Sequence, residues 1–217
     1  MKSIIFIAPP AAGKGTHSTL VEEKYGIPHI STGDLLRSAK NANDDRAKLI
    51  SELIEQGKLV PDEIVLELLK ERLAQEDCKN GYILDGFPRN VSQAEAYDKI
   101  LSEINMPLGN VILLELDKEI AKKRITGRLT CPKCNAIYNS EAEELKPQVD
   151  GYCDNCHVEL QHRSDDNAET YDVRYDTYMR ETAPLIDYYD AKGVLFRIDS
   201  SVGKERTFKE IEKIIGE

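Results

Sequence analysis

The sequence predicts an α/β fold: a parallel sheet flanked by helices. Three observations predict it. Short, near-continuous apolar runs recur along the chain ("KSIIFI", "YILD", "NVILLEL", "VLFRI"), and such runs suit strands buried on both faces. Stretches of helical periodicity separate them, the rhythm of strands joined by crossover helices. A glycine- and lysine-bearing loop, "PPAAGKGT", joins the first run to the first helix.

Taken in order, residues 2–7 form the first strand, closed by two prolines, and a helix follows from 14 to 25, ended by Gly26 and Pro28. "ISTGDLLRSAK" supplies a Ser/Thr cap and a short helix, and residues 45–56 make another, stopped by Gly57. "VPDEIVLELLKERLAQ" (60–75) is amphipathic, with Pro61 suited to a first turn. Residues 82–85 are a second strand, "GFPR" a turn, 91–103 a helix, 110–116 a third strand and 118–127 a helix. After an insert come a helical stretch over 169–191, a strand at 194–198 and a terminal helix at 203–215.

The insert, residues 129–164, breaks the rhythm and reads as a separate small lobe. Its "CPKC" and "CDNC" give C-x2-C-x18-C-x2-C through Cys131, Cys134, Cys153 and Cys156. That spacing favours a structural zinc site over disulfides or free thiols. His157 is a spare ligand beside Cys156, and the fifth cysteine, Cys78, reads as structural.

The bulk composition excludes several classes. At 217 residues, 41% hydrophobic and 31% charged, the chain can bury a core. A formal charge of -10 argues against a general nucleic-acid binder, although a local arginine cluster can still hold a small anion. No apolar run approaches the roughly 18 residues of a membrane span. The apolar stretch near Lys2 is shorter than a signal-peptide core of about 7–15 residues. A cytoplasmic protein without membrane or nucleic-acid partners is expected.

A strand running into "AAGKGT" and then a helix is the context of a phosphate-binding loop. Gly13 and Gly15 flank Lys14, so bare backbone can approach a phosphate, and the helix N-terminus favours an anion. Thr16 is the candidate for magnesium contact. Ala8 and Ala11 stand where such loops usually carry glycine, and negative φ is expected at both.

With "GKGT", "STGDLLR", "GKLVPDE", "NGYILDGFPRN" and "RSDDNAETYDVR" in this order, the chain resembles the adenylate kinases over essentially its whole length. It is most similar to the bacterial long forms with a zinc-binding lid. The resemblance implies the P-loop nucleoside monophosphate kinase fold, a monomer, and reversible magnesium-dependent transfer from ATP to AMP giving two ADP. It implies a core of 1–30, 61–128 and 165–217, a small helical AMP-binding lobe at 31–60 and a lid at 129–164. ATP would meet Ala11, Ala12, Gly13, Lys14, Gly15, Thr16, Arg124, Arg128, Ile137 and Tyr138. AMP would meet Thr32, Arg37, Lys58, Leu59, Val60, Gly86, Arg89, Gln93, Arg163 and Arg174, and Asp85 would hold magnesium through water.

The residue types suit that chemistry. An ionised phosphate oxygen of AMP is already a nucleophile, so no general base is needed. What is needed is charge neutralisation, from Lys14, Arg89, Arg124, Arg128, Arg163 and Arg174. Arg124 and Arg128, four residues apart, are expected on one helix face. Asp165 and Asp166 suit either a helix cap or a hinge pairing with lid arginines, with the cap favoured for Asp166. Two alternatives stay open: another nucleotide acceptor (UMP or CMP) or a GTP donor, and a zinc-ribbon module that binds ATP without forming ADP.

Overall fold

The computed structural model describes residues 3–39 and 45–216. Lys2 of the first expected strand, residues 40–44 of the expected acceptor lobe, and the terminal residues 1 and 217 lie outside the described residues. The first half runs β1 (Ile4–Ile7), α1 (Lys14–Tyr25), β2 (His29–Ser31), α2 (Thr32–Ala39), α3 (Asp45–Glu55), α4 (Asp62–Leu73), β3 (Ile83–Asp85) and α5 (Val91–Glu103). It continues with β4 (Asn110–Glu115), α6 (Lys118–Thr126), β5 (Arg128–Thr130), β6 (Ile137–Asn139), α7 (Ala168–Thr177), α8 (Pro184–Asp190), β7 (Leu195–Asp199) and α9 (Lys204–Gly216).

Five strands form a parallel sheet in the order β2-β3-β1-β4-β7. The apolar runs conceal an alternation. Ile5, Ile7, Val111 and Leu113 face one core, with α4, α5 and α8, while Ile4, Phe6, Ile112 and Leu114 face the other, with α1 and α9. Burying both faces of each strand ties the sheet's register to two hydrophobic layers at once. Because β1 and β3 are parallel neighbours, the loops leaving their C-terminal ends open side by side. Among the described residues no helix is long and apolar enough to cross a membrane.

Local chemistry marks the helix boundaries. Gly26, at φ 67°, closes α1; Asn90 caps α5 through Gln93 N–H, and Asp117 caps α6. Other boundaries differ from expectation. Ser31 does cap α2, its Oγ accepting from Asp34 N–H at 3.2 Å, but it also ends a strand that was not expected: three residues are too few to show a period, and pairing with β3 holds them. The helix expected over 118–127 ends at Thr126, so Arg128 lies on β5 and not one turn beyond Arg124 on a common face. The stretch 169–191 is broken by a π turn at Tyr178–Thr182. Pro184 follows, with no N–H for the carbonyl one turn back, and the helix widens ahead of it.

The insert folds as the antiparallel pair β5–β6 with a small core of Cys131, Tyr138, Cys153 and Leu160. The Asn167 side chain accepts from Thr170 N–H and caps α7, not Asp166 as expected. Asp166 is instead buried in an ion pair with Arg128.

Candidate active site

The loop between β1 and α1 is shaped by a turn at Pro9–Ala12, closed by Ala12 N–H to Pro9 C=O at 3.3 Å. Pro10 occupies its second position, which leaves positive φ to the third. Ala11 sits there at φ 63°, correcting the expected negative value, whereas Ala8 stays outside the left-handed region. Sequence reasoning missed a signal that was present: the proline before Ala11. The Ala11 methyl packs on Ala121, Ile125 and Tyr171, a contact glycine could not make.

Lys14 opens α1 and its Nζ donates to Ala8 C=O at 3.1 Å. Burial of its ammonium, reinforced by Arg89, Arg174 and Arg128 against the pull of Asp85, lowers its pKa to about 8. Asp85 ends β3. Burial opposes its charge, but His29 and Lys14 prevail and hold the carboxyl below its usual range. His29 Nε2 lies 3.4 Å from Asp85 Oδ2, an ion-pair distance without hydrogen-bond alignment. His29 was not singled out in the sequence, because only the β2–β3 pairing brings it here.

The arginines arrive from separate elements. Arg89 Nε donates to Gly86 C=O at 2.8 Å, and its N–H to Gln93 Oε1 at 2.8 Å. Gln93 Nε2 in turn donates to Asp62 at 2.7 Å. Arg37 is held by Asp34, with Nη2 at 2.6 Å. Arg174 Nη1 donates to Asp165 at 3.0 Å, and Arg128 Nε to Asp166 Oδ2 at 2.6 Å. Burial first, then neighbouring arginines, lower Arg163 and Arg174 to about 10. Crowded guanidiniums with depressed pKa values mark a place built for anionic charge.

Two clefts meet at this cluster. One is lined by Thr32, Arg37, Lys58, Leu59, Val60, Gly86, Arg89, Gln93 and Arg174, nine of the ten residues expected around AMP. Arg163 is not in that lining, although it lies close enough to Arg37 and Asp34 to feel their charge. The second cleft runs past Ala8, Pro10 and Lys14 and shares Gly57, Leu59, Gly86, Arg89 and Arg174 with the first.

On the insert side, a Cβ at Gly15 would come within 3.0 Å of Ile137 Cδ1, so the insert reaches the loop. The Tyr138 ring turns away: its hydroxyl lies 3.5 Å from Cys153 Sγ and accepts from Asp154 N–H at 2.9 Å. Arg124 Nη2 donates to Ser200 C=O at 3.3 Å. Thr16 is half-buried in the first turn of α1 beside Gly15.

The sulfurs of Cys131, Cys134, Cys153 and Cys156 lie within 4.8 Å of one another, and His157 is not part of the cluster. Four thiols converging on one point, two of them buried, are positioned to bind a metal. An all-sulfur shell of four ligands suits structural zinc.

A family model described as Adenylate kinase matches residues 6–194. An adenylate kinase of Thermotoga petrophila is 46% identical over 217 residues, covering 100% of this chain and 98% of its own. Those of Archaeoglobus fulgidus and Thermodesulfovibrio yellowstonii are 47% and 48% identical, over 98% of this chain and 97% and 98% of theirs. Likeness of this extent, reaching from the phosphate loop through the cysteine insert to the last helix, shows that the chain belongs to the adenylate kinase family.

Proposed function

We propose that this chain transfers the terminal phosphoryl group of ATP to AMP, giving two ADP. One observation carries the reading: two clefts join at a shared Arg89–Arg174 wall, with Lys14 on the second. AMP in the first cleft would bring its phosphate to this wall, and a triphosphate held on the loop of Lys14 would meet the same cations. The donor triphosphate lies along Ala11, Ala12, Gly13, Lys14, Gly15 and Thr16, with Arg124, Arg128, Ile137 and the backbone of Tyr138 above it. AMP lies among Thr32, Arg37, Lys58 to Val60, Gly86, Arg89, Gln93, Arg163 and Arg174.

In this reading an ionised oxygen of AMP attacks the γ-phosphorus in line, and the bond from that phosphorus to the β–γ bridging oxygen breaks. No proton has to move. Lys14, Arg89, Arg124, Arg128, Arg163 and Arg174 neutralise charge spread over the transferring group. Magnesium, when bound, screens the donor phosphates, and Asp85 would hold it through its water shell. Segments 31–60 and 129–164 act as an acceptor lobe and a lid on a core of 1–30, 61–128 and 165–217. Closing them excludes the water that would otherwise take the phosphoryl group. The protein works as a cytoplasmic monomer.

A coupled assay with Mg-ATP and AMP tests the reading, with Lys14→Ala alongside. ADP formation by the wild type, reduced about 10²-fold or more in the variant, is expected. A wild type that makes no more ADP than the variant would overturn it. Parallel rates with UMP, CMP and GMP test the acceptor, and a faster rate with a pyrimidine would displace AMP.

A further inference from the structure

The insert touches the core at a second point that the nucleotide assignments leave unused. Beyond β6, a 3₁₀ turn, Glu143–Leu145, carries Glu144 across to the start of α9. One carboxylate oxygen accepts from Lys204 N–H at 3.0 Å, a bond spanning 60 residues of sequence. The other rests against Gly203, where a Cβ would lie 3.0 Å from Glu144 Oε1. Gly203 also has φ 94°, so both its backbone and its neighbour call for glycine.

The physical match is good. α9 has 13 residues, and its free N–H groups and aligned dipoles make its start an attractive seat for a carboxylate. Glu143 does not compete, because it pairs with Lys146 inside the insert. Arg124 occupies the same corner: it is bound to Ser200 C=O, and Glu144 opposes the effect of burial on its charge. Glu144 therefore joins the insert to the core beside a donor-side arginine, at a contact separate from that of Ile137 with Gly15.

We propose that Glu144 is a positioning residue for the donor nucleotide: a clasp that holds the lid closed by seating its carboxylate on the N-terminus of α9. This rests on the kinase reading above. Glu144 touches no reacting atom. It raises the fraction of molecules whose lid is shut, and apparent donor affinity scales with that fraction. The acceptor lobe closes elsewhere and should not respond.

The test compares Glu144→Ala, Glu144→Gln and Glu144→Lys with the wild type, by steady-state kinetics and by calorimetric titration with Mg-ATP. In Glu144→Ala, KM and Kd for Mg-ATP should rise about 3- to 10-fold, the range a lost charged cap implies. KM for AMP should stay within about twofold, kcat should not fall, and the thermal midpoint should hold. Glu144→Gln should recover part of the loss, because its amide oxygen still accepts from Lys204 N–H. Glu144→Lys should be weakest, because a cation then faces the positive helix end. An unchanged Mg-ATP affinity in Glu144→Ala, an equal rise in both KM values, or a lower kcat at constant KM would overturn the clasp. Absence of ADP from the wild type would instead defeat the kinase reading, while the Mg-ATP titrations would still decide the clasp.

Discussion

Ala11 holds a left-handed backbone and a packed methyl at once. The backbone costs an L-residue about 1–2 kcal/mol, and the half-buried methyl returns up to about 0.8 kcal/mol. Ala11→Gly relieves the first, loses the second and adds about 0.5–1 kcal/mol of unfolded-state entropy. The expected net change is therefore below about 1 kcal/mol, read as a nearly unmoved thermal midpoint. Ala11→Val should lose about 2 kcal/mol or more, because β-branching resists this φ; a valine variant as stable as the wild type would contradict the strain. Lys14 offers a pH test. Below about pH 8 its ammonium is charged in the free site, and above that the amine is neutral. Phosphates must then bring the proton back, so Mg-ATP binding should weaken above that pH by up to about tenfold per unit. Calorimetry in two buffers of different ionisation heat should register proton uptake, and none above pH 8 would refute it. For folding the sign is opposite: between about 8 and 10.5 the unfolded chain holds the extra proton, so this residue adds stability as pH rises.

At the scale of elements, the cysteine insert is the part least able to hold itself. Its core is four side chains, two of them cysteines, beneath a pair of three-residue strands. A structural zinc site can supply ~10–16 kcal/mol of apparent folding energy. Chelation should therefore lower the thermal transition, expose four titratable thiols and weaken Mg-ATP binding, since Ile137 and Glu144 both hang from this unit. Unchanged melting with all four thiols freely reactive would exclude the metal's structural role. Several helices were legible because local signals mark their ends: Gly26 after α1, Ser31 before α2, Pro61 before α4. β2 was not, since three residues show no period and its strand character comes from a neighbour. Asp166 was misread for a related reason. A carboxylate before a helix looks like a cap; the less favoured alternative, pairing with a lid arginine, is the one the structure holds, through Arg128.

At the scale of the whole molecule, the proposed mechanism asks for two closures over one sheet. On the proposed acceptor side Gly57, at φ 68°, lies against α7: a Cβ there would come within 2.9 Å of Arg174 Cγ and 3.2 Å of Thr170 C=O. Gly57→Ala should prop that side open and lower kcat/KM for AMP about tenfold or more while sparing Mg-ATP affinity, and an equal loss on both substrates would argue against separate closures. Much of the candidate site was legible because its cations sit in local motifs along the chain. The carboxylates around them were harder to assign: Asp34 holds Arg37 within α2, Asp165 holds Arg174, and Asp62 reaches the Gln93 amide across elements, a pairing that leaves no local pattern. Those pairings bear on departure as much as on arrival. Arg37, Arg128 and Arg174 each rest on an aspartate of this chain, and Arg89 on a carbonyl. A buried guanidinium stripped of its partner is strongly destabilising. Here Arg37, Arg128 and Arg174 would each have an internal anion to return to and Arg89 a carbonyl, so losing ADP need not strand a bare cation, and the emptied site is left ready for the next pair.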